Sequence, residues 1–330
     1  LRAWVKCVVR VLSRENIAIL MTAQRRPRAV FFEQQNDHAR TDRRPDEFFG
    51  RRRAFHGLHH HLSPAIHWWT MLTTVSDPKS IGVQLDLARV ARSAIAPPAD
   101  LAGLSLGEAY DVQDALVARR IAFGGVCTGW KLGLTNRSKQ RMLGIDHPIF
   151  GRIFGDGAIP NSRSVSFAGF IAPRAEPELA FGLRGPLDPD ADTGLLLAAI
   201  AWIAPAIEIA DSRLRPGRRS AVELIADNVS SSAYVIGEQM RLDEAPRLDA
   251  IGTQLIRSGS VLAAGTTADI LGDPFTALRV LARHLAERGL RAAAGDIVLS
   301  GAITDGFPAY PGDRFTARLR GIGTASLLFV

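Results

Sequence analysis

Cysteine is nearly absent from this 330-residue chain, which has only Cys7 and Cys127. Two thiols cannot build a disulfide framework or a four-cysteine zinc site, and so few point to a reducing, cytoplasmic compartment. Long apolar runs are also missing. The longest uncharged apolar stretch, residues 194–207, spans about 14 residues and contains Pro205, short of the ~20 that a membrane helix needs. No membrane partner is expected. Neither G-x-G-x-x-G nor G-x-x-x-x-G-K-[ST] occurs, so no nucleotide cofactor is expected. Lysine is scarce beyond residue 70, where only Lys79, Lys131 and Lys139 occur against 24 arginines.

What the chain does have is enough apolar material for a sizeable core: 47% hydrophobic residues against 22% charged. The net charge of +7 would suggest a nucleic-acid binder, but its distribution argues otherwise. The whole excess lies in residues 1–70, which hold 13 basic and 6 acidic side chains, and the remaining residues balance at 27 of each. Six of the eight histidines, including His59-His60-His61, share that segment. It has no sustained period of 3.6 or 2. Its composition admits a nucleic-acid arm, a targeting segment or metal binding by its His-rich tract. The expectation is an unstructured basic and His-rich extension that is not native, with the true start at Met71. No nucleic-acid partner is expected.

Beyond Met71 the organisation is legible. A helical N-terminal region is expected over 71–150 and a mixed β catalytic core over 151–330. Apolar spacing predicts helices over 81–94 and from Ser105 to about Gly124, then a short strand over 126–134 and a polar helix over 137–143. Later strands are predicted over 179–183, 204–210, 233–236, 297–299 and 324–329, with helices over 193–203 and 274–288. Gly103-Leu104-Ser105-Leu106-Gly107 matches the pattern of a serine-hydrolase elbow. It follows Pro97-Pro98-Ala99-Asp100 instead of a strand. Ser105-Leu106-Gly107-Glu108 reads better as a helix capping box.

The chemistry-bearing pattern is carboxylates on apolar strands. Glu176 and Glu178 stand two apart in Arg174-Ala175-Glu176-Pro177-Glu178-Leu179-Ala180-Phe181, a spacing that points both to one face of a strand. Pro177, which lacks an N–H, suits a strand start or edge. Glu208 is embedded in the apolar run Ile203-Ala204-Pro205-Ala206-Ile207-Glu208-Ile209-Ala210, where a lone carboxylate is costly. Two readings stand on spacing alone: an all-oxygen site for Mg²⁺ or Mn²⁺, or a Glu208 paired with Arg174 or Arg213. Lys131, in Gly129-Trp130-Lys131-Leu132-Gly133-Leu134, is either a desolvated functional ammonium or a surface lysine on an edge strand.

Six ordered motifs carry a resemblance. They are Gly129-Trp130-Lys131-Leu132-Gly133-Leu134-Thr135, Leu143-Gly144-Ile145-Asp146-His147-Pro148, the Glu176-Pro177-Glu178 strand, Pro205-Ala206-Ile207-Glu208-Ile209-Ala210-Asp211-Ser212-Arg213, Asp227-Asn228-Val229-Ser230-Ser231, and Gly295-Asp296-Ile297-Val298-Leu299-Ser300-Gly301. From about Met71 to Val330 the chain resembles the 2-keto-4-pentenoate hydratase and 4-oxalocrotonate decarboxylase group of the fumarylacetoacetate hydrolase superfamily. The resemblance implies an α+β fold, a mixed β-roll or barrel core with a small helical N-terminal region. It implies a metal site of Glu176, Glu178 and Glu208 for Mg²⁺ or Mn²⁺, and catalytic Lys131 and Asp146. Leu143, Ser230, Ser231, Ser300 and Gly301 are implied as substrate-binding. Ile149 stands where many relatives have Asp, so one polar pocket contact is missing.

The resemblance further implies a homo-oligomer, one that could work with a neighbouring pathway enzyme, and a small 2-oxo or 2-hydroxy-dienoate acid as substrate. The expected reaction is metal-dependent addition of water to a 2-hydroxy-2,4-dienoate (2-oxopent-4-enoate) in meta-cleavage catabolism, giving a 4-hydroxy-2-oxo acid. The alternatives are decarboxylation of 4-oxalocrotonate (2-oxohex-3-enedioate) and hydrolysis of a C–C bond of the acylpyruvate kind. The Glu-Pro-Glu form is common in the decarboxylase branch, whereas Asp-Asn-x-Ser-Ser looks more like the hydratases.

Overall fold

The computed structural model describes residues 77–330. The expectations for residues 1–70 and for a start at Met71 lie outside the described residues. Two helices come first. Helix α1, Pro78–Ala91, starts at Asp77, whose carboxylate accepts the Lys79 amide N–H at 3.2 Å, and has Pro78 in its first turn. Helix α2, Leu106–Ala122, opens on the expected capping box: Glu108 accepts the Ser105 amide at 2.8 Å while the Ser105 hydroxyl accepts that of Glu108 at 3.2 Å. That settles the serine of the hydrolase-like motif as a cap. Ile81 and Leu85 of α1 and Val112 and Leu116 of α2 are buried in one core.

The large sheet contains β1 (Cys127–Gly133), β2 (Ile149–Phe154), β3 (Ala158–Ile159), β5 (Arg174–Leu183), β6 (Ile200–Ala210), β7 (Ser231–Ile236), β10 (Ile297–Leu299) and β11 (Phe307–Pro308). Its order is β2-β1-β10-β5-β6-β7-β3, with β11 also on β5. The pairs β1–β10 and β3–β7 are parallel and the others antiparallel, so the sheet is mixed. A five-stranded sheet holds β4 (Arg163–Val165), β8 (Gly252–Arg257), β9 (Ser260–Thr266), β12 (Arg314–Leu319) and β13 (Gly323–Phe329). Short helices α3 (Arg137–Met142), α4 (Thr193–Ala198) and α5 (Ala221–Ala226) connect strands, and α6 (Pro274–Glu287) buries Leu278, Leu281 and Leu285. This is the α+β architecture expected, with strand β1 adding sheet to the region ahead of residue 150 and β2 running across that boundary.

One face of β5 and β6 contributes to two cores at different points along the strands. Ile207, Ile209 and Val235 face Phe315, Leu327 and Phe329 of the smaller sheet, while Trp130, Leu132, Leu179, Phe181 and Ile203 belong to the core that includes the helices. The helix expected over 193–203 is corrected: it stops at Ala198, and Ile200 begins β6. Ile200, Trp202 and Ile203 are residues that favour a pleated surface, and β5 supplies one, with Trp202 opposite Gly182 and Ile203 opposite Phe181. Pro177 sits inside β5 without breaking it. On that edge β11 pairs only with Arg174 and Ala175, and β10 only with Ala180 to Gly182, so no ladder bond is demanded of its nitrogen.

Candidate metal centre and its cavity

Strands β5 and β6 bring the three glutamates together. Glu176 lies directly opposite Glu208 in the antiparallel register, and Glu178 is two residues along on the same face. Carboxylate oxygens of all three lie within 4.8 Å of one another. Among the described residues this is the one group of three or more His, Cys, Asp or Glu side chains close enough to share an ion. Glu178 and Glu208 are fully buried, and Glu176 is half-buried at the cavity wall.

Lys131 answers this charge from β1, an interior strand between β2 and β10, so the edge-strand reading does not hold. Its side chain is 3% exposed, and Nζ lies 2.7 Å from Glu208 Oε2 and donates to the Val229 carbonyl at 3.2 Å. The alternative of an arginine partner for Glu208 is corrected. Arg213 pairs with Asp227 at 2.6 Å, and Arg174 donates to the Gly306 carbonyl. Burial alone would depress the Lys131 ammonium, but the charges of Glu208, Glu176 and Glu178 outweigh it and hold its pKa above the ordinary value. Burial, reinforced by the Glu208 charge and opposed by Lys131, pushes the Glu178 carboxyl well above the usual range. Glu208 is raised by burial too, against the pull of Lys131.

The fit to a divalent cation rests on oxygens left over. Glu178 Oε2 accepts the Gly301 amide at 2.8 Å, but Glu178 Oε1 and Glu208 Oε1 are buried without a hydrogen-bond partner. Buried carboxylate oxygens in that state are costly, and a hard divalent cation with oxygen ligands would satisfy them. Three carboxylates against one ammonium also leave net negative charge for it.

The remaining expected site residues separate into distinct places. A cavity of about 650 Å³ is lined by Lys131, Glu176 and Ser230, with Ile149, Leu214 and Val229 among its apolar wall. Ser300 and Gly301 stand behind the glutamate cluster: the Ser300 hydroxyl accepts the Leu179 amide at 3.1 Å, and Gly301 holds Glu178. Ser231 is buried at the start of β7, its carbonyl accepting from Arg213 at 2.9 Å. Leu143 and Asp146 lie between α3 and β2, Asp146 exposed, and neither lines the cavity. At Ile149 the wall is apolar and fully buried.

One feature escaped the sequence reading. Asn228, Val229 and Ser230 all have left-handed backbone, with φ of 47°, 51° and 56°. For a β-branched residue such as Val229 this is a costly conformation. It turns the Val229 carbonyl to Lys131 and leaves Ser230 at the cavity. Asn228 fixes the turn, its side chain accepting the Arg152 amide at 2.7 Å and donating to the Arg152 carbonyl at 2.9 Å. The Asp-Asn-x-Ser-Ser motif was visible in the sequence, but nothing in it signals three consecutive positive φ angles.

Comparison with known proteins agrees with this geometry. Residues 158–327 match the family model for the fumarylacetoacetate (FAA) hydrolase C-terminal region. A 4-oxalocrotonate decarboxylase of Pseudomonas sp. (strain CF600) is 33% identical over 232 residues, covering 70% of this chain and 88% of that protein. A 2-keto-4-pentenoate hydratase of Paraburkholderia xenovorans (strain LB400) is also 33% identical, over 227 residues, covering 68% and 84%. The solved structure of 4-oxalocrotonate decarboxylase from Pseudomonas putida G7, complexed with magnesium and adipate, superposes with a TM-score of 0.73 at 30% identity, covering 77% of this chain and 97% of that one. On the motif order, the fold and these likenesses, the chain belongs to the fumarylacetoacetate hydrolase family of enzymes.

Proposed function

We propose that the chain is a metal-dependent lyase for unsaturated 2-oxo acids, a hydratase adding water to a 2-hydroxy-2,4-dienoate. The observation that carries this reading is the convergence of Glu176, Glu178 and Glu208, with two unpartnered buried oxygens, beside Lys131 at a cavity. The three glutamates would hold Mg²⁺ or Mn²⁺, as expected from the magnesium named for the decarboxylase relative. A bound cation supplies Lewis-acid stabilisation of negative charge developing on the 2-oxo oxygen of the substrate.

The protein's own groups do the rest. Lys131, fixed between Glu208 and the Val229 carbonyl, presents an ammonium that attracts the substrate carboxylate and can hold a proton at Nζ. Glu176, the least buried of the three acids, lines the cavity beside it. Leu132, Leu134 and Ile149 give the carbon chain an apolar wall that limits water to the positions the polar groups allow. In hydration the dienol first ketonises, losing its 2-hydroxyl proton and gaining one at C5, and water then adds across C3=C4 of the conjugated ketone, its hydroxyl at C4 and its proton at C3.

A second reading, decarboxylation of a 2-oxo-enedioate, is favoured by the decarboxylase relatives and by the further cations on the cavity wall, Lys139, Arg174 and Arg219. There a proton replaces the carbon dioxide lost from the far end. We infer no partner macromolecule for either reaction. Among the described residues no helix is long and apolar enough to cross a membrane. The test is an ultraviolet assay of the purified protein with 2-hydroxypenta-2,4-dienoate and with 2-oxohex-3-enedioate, each with and without Mg²⁺. Mg²⁺-dependent loss of the dienoate absorbance is expected, abolished by a chelator. Turnover that survives chelation, or none on either acid, overturns the reading.

A further inference from the structure

A second cavity, of about 370 Å³, lies apart from the glutamate cluster and shares no lining residue with the first. Its size suits a small ligand. It sits where the C-terminal end of α1 meets α2, the turn between β2 and β3, and the start of β7. The lining is partly basic, through Arg89, Arg92 and Arg120, and partly apolar, through Ile159, Val165 and Phe170. Ser232 of β7 adds a hydroxyl.

Positive charge is in surplus here. Arg89 shares the one carboxylate of Asp86 with Arg119, at 2.8 and 3.0 Å. Among the described residues Arg92 has no ion-pair partner. Arg120 donates from Nη2 to Asp156 at 2.6 Å. Four guanidiniums therefore stand against two carboxylates, and one of those, Asp156, is 56% exposed to the water that weakens its pull. Arg120 is the most withdrawn of the four. Its side chain is 7% exposed, its guanidinium carbon lies 3.9 Å from the centre of the Phe154 ring, and Nε is buried without a hydrogen-bond partner. Burial outweighs the Asp156 carboxylate and, with the charges of Arg89 and Arg213, holds the Arg120 pKa below its ordinary value. A buried guanidinium with an idle donor and further positive charge around it is stabilised by an added anion.

We propose that this cavity binds a small organic phosphate, its phosphoryl group on Arg92 and Arg120 and its apolar body against Ile159, Val165 and Phe170. A phosphomonoester carries about two negative charges at neutral pH and three strong acceptor oxygens. Those match a surplus of two positive charges and donors that arrive from α1, α2 and β7. A carboxylate has half the charge and only two oxygens, in one plane. Arginine suits the task because its fork binds phosphate through two parallel N–H bonds. The site is separate from the glutamate cluster, so it stands or falls independently of the lyase reading.

The experiment measures binding without turnover. Isothermal titration calorimetry of the full chain, in buffer free of metal and phosphate, compares phenyl phosphate with inorganic phosphate and with benzoate. Inorganic phosphate lacks the apolar body, and benzoate lacks the second charge. Phenyl phosphate should bind at least tenfold more tightly than either. Arg120→Met should abolish its binding. Arg92→Ala, which alters only an exposed side chain, should weaken it fivefold or more and keeps the test open if Arg120→Met does not fold. Arg219→Ala, in the first cavity, should leave the affinity as it was. No binding of phenyl phosphate overturns the proposal, as does an affinity that survives Arg92→Ala or is lost in Arg219→Ala instead. Inorganic phosphate or benzoate binding as tightly as phenyl phosphate overturns it too, the first by removing the apolar body and the second by removing the phosphoryl group.

Discussion

Glu176 and Glu208 face each other directly across β5 and β6, two carboxylates at a position where like charges repel, with Glu178 adjoining them on the same face. A single ammonium, Lys131, offsets the three. An arrangement of this kind lowers stability unless a cation joins it, so the sheet carries a cost that metal binding would relieve.

Glu178→Gln separates the two contributions. The amide keeps the shape and can still accept from Gly301, but it removes one negative charge from the buried cluster. In metal-free buffer the melting temperature should hold or rise by a few degrees. The further rise that Mg²⁺ gives the unaltered protein should largely disappear, and Mg²⁺ affinity by calorimetry should fall at least tenfold. A variant that melts lower without metal and binds Mg²⁺ as before would show that the carboxylate is there for packing.

Lys131→Met keeps the aliphatic stem and deletes the charge. Glu208 then loses its partner in a fully buried setting, at a cost of about 3–5 kcal/mol, which is the usual price of breaking a buried pair. Adding Glu208→Gln should recover most of that stability, because no unpaired charge remains, while leaving turnover down by a hundredfold or more. Denaturant unfolding of both single variants and the double gives the coupling energy. Additive losses would mean that Lys131 and Glu208 do not act as a pair.

Much of this site was legible because strand geometry is periodic. The two-residue spacing of Glu176 and Glu178 fixed their common face before any fold was known, and the buried setting of Glu208 followed from its apolar neighbours. What joined Glu208 to Lys131 was not legible, since β1 and β6 are separated by β10 and β5 and only the sheet order brings their side chains together. The arginine alternatives failed for the same reason: Arg213, five residues from Glu208, turns back to Asp227. Asp146 was assigned by motif alone, and its exposed turn shows no geometric tie to the cavity. The helix over 193–203 overran because Leu and Ala continue through the change to strand, where pairing with β5 decides the outcome.

His284 makes stability depend on pH. It stacks on Phe150 at 4.4 Å between ring centroids and tilts against Tyr110 at 4.6 Å, and Arg288 and His147 add positive charge nearby. Burial first, then those charges, lower its pKa to about 4 from an unfolded value near 6.5. Below 6.5 the unfolded chain takes up a proton that the folded ring refuses, so stability is complete above that pH and is lost as pH falls toward 4. His284 is only partly buried, which limits the effect to about 1 kcal/mol between pH 7 and pH 5. His284→Phe keeps the stack and should flatten that part of the curve. Identical slopes for the two proteins in urea unfolding would remove His284 from the account.

Gly301 allows a sharper test of how the proposed metal centre is held. Its φ of 96° is a conformation that glycine adopts freely, and a Cβ there would come within 2.6 Å of the Thr135 side chain. Its amide donates to Glu178 at 2.8 Å, and Ser300 beside it is tied to Leu179. Gly301→Ala therefore strains the backbone and forces Thr135 or the turn to move, and the amide that orients Glu178 moves with it. Gly272 provides the control. Its φ of 87° is just as unsuited to alanine, but a Cβ there meets nothing within 4 Å. Gly272→Ala should cost about 1–2 kcal/mol by backbone strain alone and leave Mg²⁺ affinity unchanged. Gly301→Ala should cost more, about 2–4 kcal/mol, and should also weaken Mg²⁺ several-fold. Thermal unfolding and Mg²⁺ titration of the two variants together distinguish strain from loss of a carboxylate support. Equal metal affinity in both would mean that Glu178 keeps its place without the Gly301 amide.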